Sequence, residues 1–137
     1  MLGTDFILDG LAREGIDHIF MVPGGLVDPF LPALGRQSVL KPIVAAQEGG
    51  AAYMADGYAR ASGTFGAALC IGGPGLANTV TAVATALTDG SPLLVISGEA
   101  ATALARSEST ALSVRKVNAC VCSSKAISPK VPSNPSG

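Results

Sequence analysis

Apolar residues in this chain come in two alternating kinds of run, one with helical spacing and one short and continuous. Ile7, Leu8, Leu11 and Ala12 fall on one face of a helix that Thr4 can cap and Gly15 can end. Ile19 to Val22 then reads as a short buried strand, and Pro23-Gly24-Gly25 as the tight turn after it. A helix or irregular turn is expected over about residues 27–34 and a second strand over 40–46. A helix of very small residues is expected over 49–61, ending near Ser62-Gly63. Ala67 to Ile71 is the third strand, closed by Gly72-Gly73-Pro74-Gly75. Leu76, Val80, Val83, Ala84 and Leu87 mark the expected buried stripe of the next helix, and Pro92 to Ser97 the fourth strand. Continuously apolar strands separated by helices predict an α/β fold, a three-layer parallel sheet with helices on both faces.

Composition divides the chain after Glu99. Residues 1–99 hold sixteen of the seventeen glycines and four Lys/Arg against nine Asp/Glu, a formal charge of −5. Residues 100–137 carry five Lys/Arg against Glu108 alone, with eight serines and three prolines in 38 residues, a composition expected of a disordered tail. One domain over 1–99 and a separate tail over 100–137 are therefore expected. No run of eighteen apolar residues exists, and Thr4 and Asp5 stand where a signal peptide would need a basic and then an apolar stretch. These features point to a cytoplasmic protein with no membrane partner. The first 99 residues lack interleaved aromatic and basic positions, which argues against nucleic acid.

Candidate chemistry is sparse, and this narrows the choice. Cys70, Cys120 and Cys122 make neither a disulfide framework nor a zinc signature, and no metal site is expected. His18 is the sole histidine and sits at the entry of the first strand. Glu48 stands out as the only acid between Asp28 and Asp56, at the carboxyl end of the apolar segment Pro42-Ile43-Val44-Ala45-Ala46. Open α/β sheets bind ligands at that end of their strands, but a first-turn acid favoured by the helix dipole would look the same. Gly72-Gly73-Pro74-Gly75 with Asn78 is a second candidate, a glycine turn whose backbone N–H groups can meet a ligand or merely join strand to helix. It is neither a dinucleotide fingerprint nor a nucleotide triphosphate loop.

Four segments together carry a resemblance: Val22-Pro23-Gly24-Gly25, the stretch from Glu48 to Arg60, Gly73-Pro74-Gly75-Leu76-Ala77-Asn78, and Asp89 to Gly98. In order and spacing over residues 1 to about 99 they resemble the N-terminal, pyrimidine-binding domain of thiamine diphosphate-dependent enzymes of the acetolactate synthase, benzoylformate decarboxylase and pyruvate oxidase group. The resemblance implies that Glu48 hydrogen-bonds the aminopyrimidine ring of the cofactor. It implies that Pro23, Gly24, Gly25, Gly73, Pro74, Gly75 and Asn78 line or shape the site. The cofactor would supply the reactivity and the protein binding and electrostatics, with Ala45, Ala46, Ala51 and Ala52 as an apolar setting for the carboxylate.

Three departures from that pattern bear on function. Asp9-Gly10, Asp56-Gly57 and Asp89-Gly90 are the only Asp-Gly pairs and none follows a glycine, so the Gly-Asp-Gly half that grips magnesium and diphosphate is missing. Magnesium would come only through another domain or partner. Ile71 stands where decarboxylases of the group carry a histidine, and the resemblance stops after Glu99. The implied function is the pyrimidine half-site of an enzyme acting on 2-oxo acids by lyase or transferase chemistry. The alternative is a truncated, non-catalytic remnant that folds or associates with related subunits. The resemblance implies a homodimer, or a partner subunit carrying the diphosphate-binding domain. Gly49, Gly50, Ala51, Ala52 and Ala55 are expected to allow close helix packing across that interface. An unfinished sheet edge is expected beyond the fourth strand.

Overall fold

The structure is a computed structural model that describes residues 2–98 and the backbone of a strand at Val117–Cys122. The remaining residues of the expected tail lie outside the described residues. Helix α1 (Gly3–Arg13) leads to strand β1 (His18–Met21). A 3₁₀ turn (Asp28–Phe30) runs into helix α2 (Leu31–Arg36), followed by strand β2 (Lys41–Val44) and helix α3 (Glu48–Ser62). Strand β3 (Gly66–Ile71), helices α4 (Pro74–Asn78) and α5 (Val80–Asp89), strand β4 (Leu93–Gly98) and strand β5 (Val117–Cys122) complete the order.

The sheet order is β2-β1-β3-β4-β5, with β1 to β4 mutually parallel and β5 antiparallel to β4. Helices cover both faces, as the continuously apolar strands require. On one face Leu8 and Leu11 of α1 and Phe30, Ala33 and Leu34 of the α2 segment close over Ile19, Met21, Leu69 and Ile96. On the other, Ala51, Ala52 and Ala55 of α3 and Ala82 and Ala86 of α5 close over Phe20, Ala68, Cys70 and Val95. The second face is built almost wholly from alanine on the helix side, so helix and sheet backbones come close. At Gly66 a Cβ would stand 1.9 Å from the carbonyl oxygen of Ala55, and only glycine fits.

Several expectations need correction. Ala51, Ala52 and Ala55 face inward, at 1%, 0% and 0% exposure, so these three serve the contact with the sheet and with α5, while Gly50 of the same expected set is exposed. The stripe expected on the helix after Gly75 is also displaced: Thr79, Ala82 and Ala86 are buried, whereas Val80 and Leu87 are 59% and 54% exposed. Gly75, Thr79, Ala82 and Ala86 keep one helical spacing straight through Thr79, so the face laid on the sheet is the small-residue face, one position before the larger apolar residues. Thr4 lies inside the first turn of α1, buried, and Asp5 accepts the Leu2 N–H in its place. The edge expected to be bare beyond β4 is paired along its length by β5. At the opposite edge Lys41 and Ala45 donate inward to β1, which turns Pro42's missing N–H outward and blunts the edge against further pairing.

Gly15, Gly63 and His18 stand where expected. Gly15, at φ 83°, follows the end of α1, and Gly63, at φ 74°, ends α3 in the left-handed conformation. His18 opens β1. Arg60 donates to Asp56 at 2.9 Å and to Asp89 at 2.8 Å, tying α3 to the last turn of α5. Among the described residues no helix is long and apolar enough to cross a membrane.

Candidate functional site

The carboxyl ends of β1 to β4 lie along one rim of the sheet, and every expected site residue falls on the loops or helix starts that follow them, except Asn78, which ends the short helix α4. β1 and β3 are neighbours, yet the chain leaves β1 toward α2 on one face and leaves β3 toward α4 and α5 on the other. The divergence opens a crevice between the two exits, the place where open α/β sheets bind ligands.

Glu48 is the first residue of α3. Gln47 precedes it with extended backbone (φ −159°, ψ 149°), and its Oε1 accepts the Gly50 N–H at 3.0 Å, capping the helix and fixing the first turn. Asn78, the last residue of α4, donates from Nδ2 to Glu48 Oε2 at 3.0 Å. Glu48 Oε1 accepts no hydrogen bond among the described residues, and it lies beside Gly75: a Cβ there would stand 3.2 Å from it. The same Cβ would stand 2.6 Å from Ile71 Cγ1. A Cβ on Gly49 would meet the Asn78 carbonyl oxygen at 2.8 Å, so α3 and α4 approach closely behind the pair. Across the crevice, a Cβ on Gly24 would stand 3.0 Å from Ile71 Cγ2, while the Gly24 carbonyl accepts from Val27 and Asp28 to make the turn after β1.

Glu48, Gly24, Gly75 and Asn78 are therefore brought together. Pro23, Gly25, Gly73 and Pro74 lie on the same two turns; Gly73 takes φ 66° and Pro74 opens α4. Of the expected apolar setting, Ala51 and Ala52 are buried, Ala45 is half-buried and Ala46 is exposed. Ile71, Gly49 and Gln47 also shape the site; the sequence reading met Ile71 as the place of a missing histidine and Gly49 as a small neighbour of Glu48, and gave Gln47 no role. Gln47's signal was its position just before a run of helix-starting residues. Cys70 sits beneath the crevice, its thiol pushed up to about 11, first by burial and then by the Glu48 carboxylate.

A glycine-lined crevice at a topological switch point, with one carboxylate held by an amide and one of its oxygens open, defines an α/β ligand-binding domain. Residues 1–119 match the family described as thiamine pyrophosphate enzyme, N-terminal TPP binding domain, and the chain belongs to that family. The match runs past Glu99, where the recognisable motifs end. The chain is 41% identical over 102 residues to the acetolactate synthase large subunit of Buchnera aphidicola subsp. Schizaphis graminum, covering 74% of this chain and 18% of that protein. It is 43% identical over 104 residues to a probable acetolactate synthase large subunit of Methanocaldococcus jannaschii, covering 76% and 17%. With isozyme 3 of Escherichia coli it shares 38% over 102 residues, covering 74% and 18%. The chain thus spans less than a fifth of the length of these relatives.

Proposed function

We propose that the chain supplies the pyrimidine half-site for thiamine diphosphate in an acetolactate synthase-like enzyme acting on 2-oxo acids. The observation that carries this reading is the Glu48–Asn78 pair: one carboxylate oxygen is engaged at 3.0 Å and the other is open over Gly75, in a cradle that a Cβ would fill. A flat ring nitrogen is a suitable partner for that open oxygen. When bound, the cofactor supplies the nucleophilic carbon that adds to a 2-oxo acid carbonyl. Glu48 holds or releases a proton toward the pyrimidine ring nitrogen, and Asn78 stops the carboxyl group from turning away. Gly24, Gly49 and Gly75 let the backbones approach, while Pro23, Gly25, Gly73 and Pro74 form the rims.

Diphosphate and magnesium are assigned to another domain or subunit, because no Asp-Gly pair here follows a glycine. The outer side of α3 and α5 suits such a partner, with Tyr53, Met54, Val80 and Leu87 all more than 40% exposed. A second copy or a related subunit would cover it. A cytoplasmic location belongs to the same reading. With most of the ligand's charge left unrecognised, the chain alone should bind thiamine diphosphate weakly, above micromolar dissociation constants.

The test is Glu48→Gln in the site assembled with a subunit that carries the Gly-Asp-Gly sequence. The amide keeps the shape and cannot exchange a proton with the ring. Exchange of the cofactor's C2 proton, followed by NMR, should slow by roughly 10²-fold or more while cofactor affinity falls far less. Equal exchange rates in parent and variant would refute the role of Glu48.

A further inference from the structure

Ile71 is the last residue of β3, and it stands where the chain leaves the sheet toward α4. Its two γ-carbons point in different directions from one Cβ. Cγ2 lies against Gly24 on the turn after β1, and Cγ1 lies against Gly75 in the first turn of α4. These are the two walls of the crevice. Gly75 is also the residue over which Glu48 Oε1 opens, and α4 is the helix that delivers Asn78 to Glu48. A single β-branched side chain therefore spans the switch point and touches both walls beside the carboxylate.

The geometry points to Ile71 as a positioning residue that sets the width of the crevice at Glu48, its β-branch acting as a fixed spacer between the Gly24 turn and α4. The inference rests on the half-site reading above. β-Branched side chains are stiff at χ1, so the two γ-carbons hold a set separation. Leucine has the same number of carbons but branches one carbon further out, so its single γ-carbon cannot stand in for both γ-carbons of isoleucine at Gly24 and Gly75. Valine is smaller yet keeps both γ-carbons. Shape, more than volume or hydrophobicity, is what the site requires of this position.

Titration of the chain with millimolar thiamine diphosphate, followed by the NMR signals of the Asn78 side-chain amide, tests this, with thermal unfolding measured in parallel. Ile71→Val should bind within about twofold of the parent, whereas Ile71→Leu should bind about tenfold more weakly with a melting temperature no lower than that of Ile71→Val. Gly75→Ala should also lose binding, and Ile71→Ala combined with Gly75→Ala should recover part of it, because the alanine methyl group takes the volume that Cγ1 held. Affinity that follows the melting temperature, with leucine as good as or better than valine, would overturn the inference while leaving the half-site reading intact. A parent chain that gives no titration at all would overturn both.

Discussion

Asn78 and Glu48 join the end of one helix to the start of another: the amide Nδ2 donates to Oε2 at 3.0 Å, across the mouth of the crevice. Two helix termini thereby share one bond, and each fixes the other. Carboxylates gain from a donor near a helix N-terminus, and this donor has no other partner among the described residues. Because both side chains lie at the solvent-facing rim, the stability at stake is small. Asn78→Ala should lower the unfolding free energy by at most about 1 kcal/mol in urea titrations. In the assembled site it should nevertheless slow C2-proton exchange by about tenfold, since the carboxyl group is then free to rotate. A stability loss of several kcal/mol with unchanged exchange would make Asn78 a structural residue only.

The sheet and its four parallel strands were legible because buried parallel strands leave continuous apolar runs, and Gly63 and the Gly72–Gly75 segment punctuated them. Glu48 was legible from isolation in sequence. What the sequence hid were matters of phase and facing. Gly75, Thr79, Ala82 and Ala86 form the stripe that faces the sheet and turn Val80 and Leu87 outward, and residues that small leave little mark in the apolar spacing. Ala51, Ala52 and Ala55 suit a helix–helix interface and a helix–sheet contact equally well on composition. The structure chooses the second because the β3 backbone comes against Ala55. Strand β5 lies in a stretch whose surrounding serines and prolines masked a short apolar run.

Gly66 and Gly10 give opposite predictions from the same substitution. A methyl group at Gly66 would overlap the Ala55 carbonyl, a backbone atom that cannot move without shifting α3. Gly66→Ala should cost about 3 kcal/mol or prevent folding. Nothing lies within 4 Å of a Cβ at Gly10, in the middle of α1, so Gly10→Ala should stabilise by roughly 0.5–1 kcal/mol through helix propensity. Urea midpoints of the two variants check both. A tolerated Gly66→Ala would mean that α3 does not pack on β3 at backbone distance.

Asp17 and Tyr58 give the chain a pH signature at the end of the sheet opposite the crevice. The Tyr58 hydroxyl donates to Asp17, and His18 contacts the same carboxylate at 2.7 Å. The bond from Tyr58, and then that from His18, hold the Asp17 carboxyl below its ordinary 3.8. The bond to Asp17, and then burial, hold the Tyr58 hydroxyl above its ordinary 10.0. A depressed acid stabilises the fold above 3.8, and that contribution is lost as pH falls through the lowered value. A raised phenol stabilises below 10.0, and that contribution is lost as pH rises through the raised value. Tyr58→Phe keeps the ring packed near Phe20 (centroids 5.9 Å apart) and removes the bond. The stability gap between parent and variant should be flat near neutrality and should narrow in both acid and alkali. A gap that stays constant down to pH 2 and up to pH 11 would mean that the bond contributes nothing.

Self-association should depend on the outer side of α3 and α5, where Tyr53 and Met54 are 46% and 41% exposed and Val80 and Leu87 more so. Tyr53 is held there by a 3.3 Å contact between its hydroxyl and that of Thr85, so the two helices present one surface. Asp89, at its carboxyl end, is the only charged residue of α5. Surfaces of this kind are unfavourable in water and favour a partner. Sedimentation at micromolar concentration should find a dimer or larger species, and Leu87→Lys, which adds a charge at an exposed position without touching the core, should shift it toward a 13.6 kDa monomer. A charge at Ala52, which is fully buried, should unfold the chain and so reports nothing about this surface. An edge contact through β2 is the competing route, and Val44→Lys probes it, since Val44 is 62% exposed on that strand. A dimer that survives Leu87→Lys and dissociates with Val44→Lys would move the interface to the sheet edge and leave the α3–α5 surface without a partner in this chain.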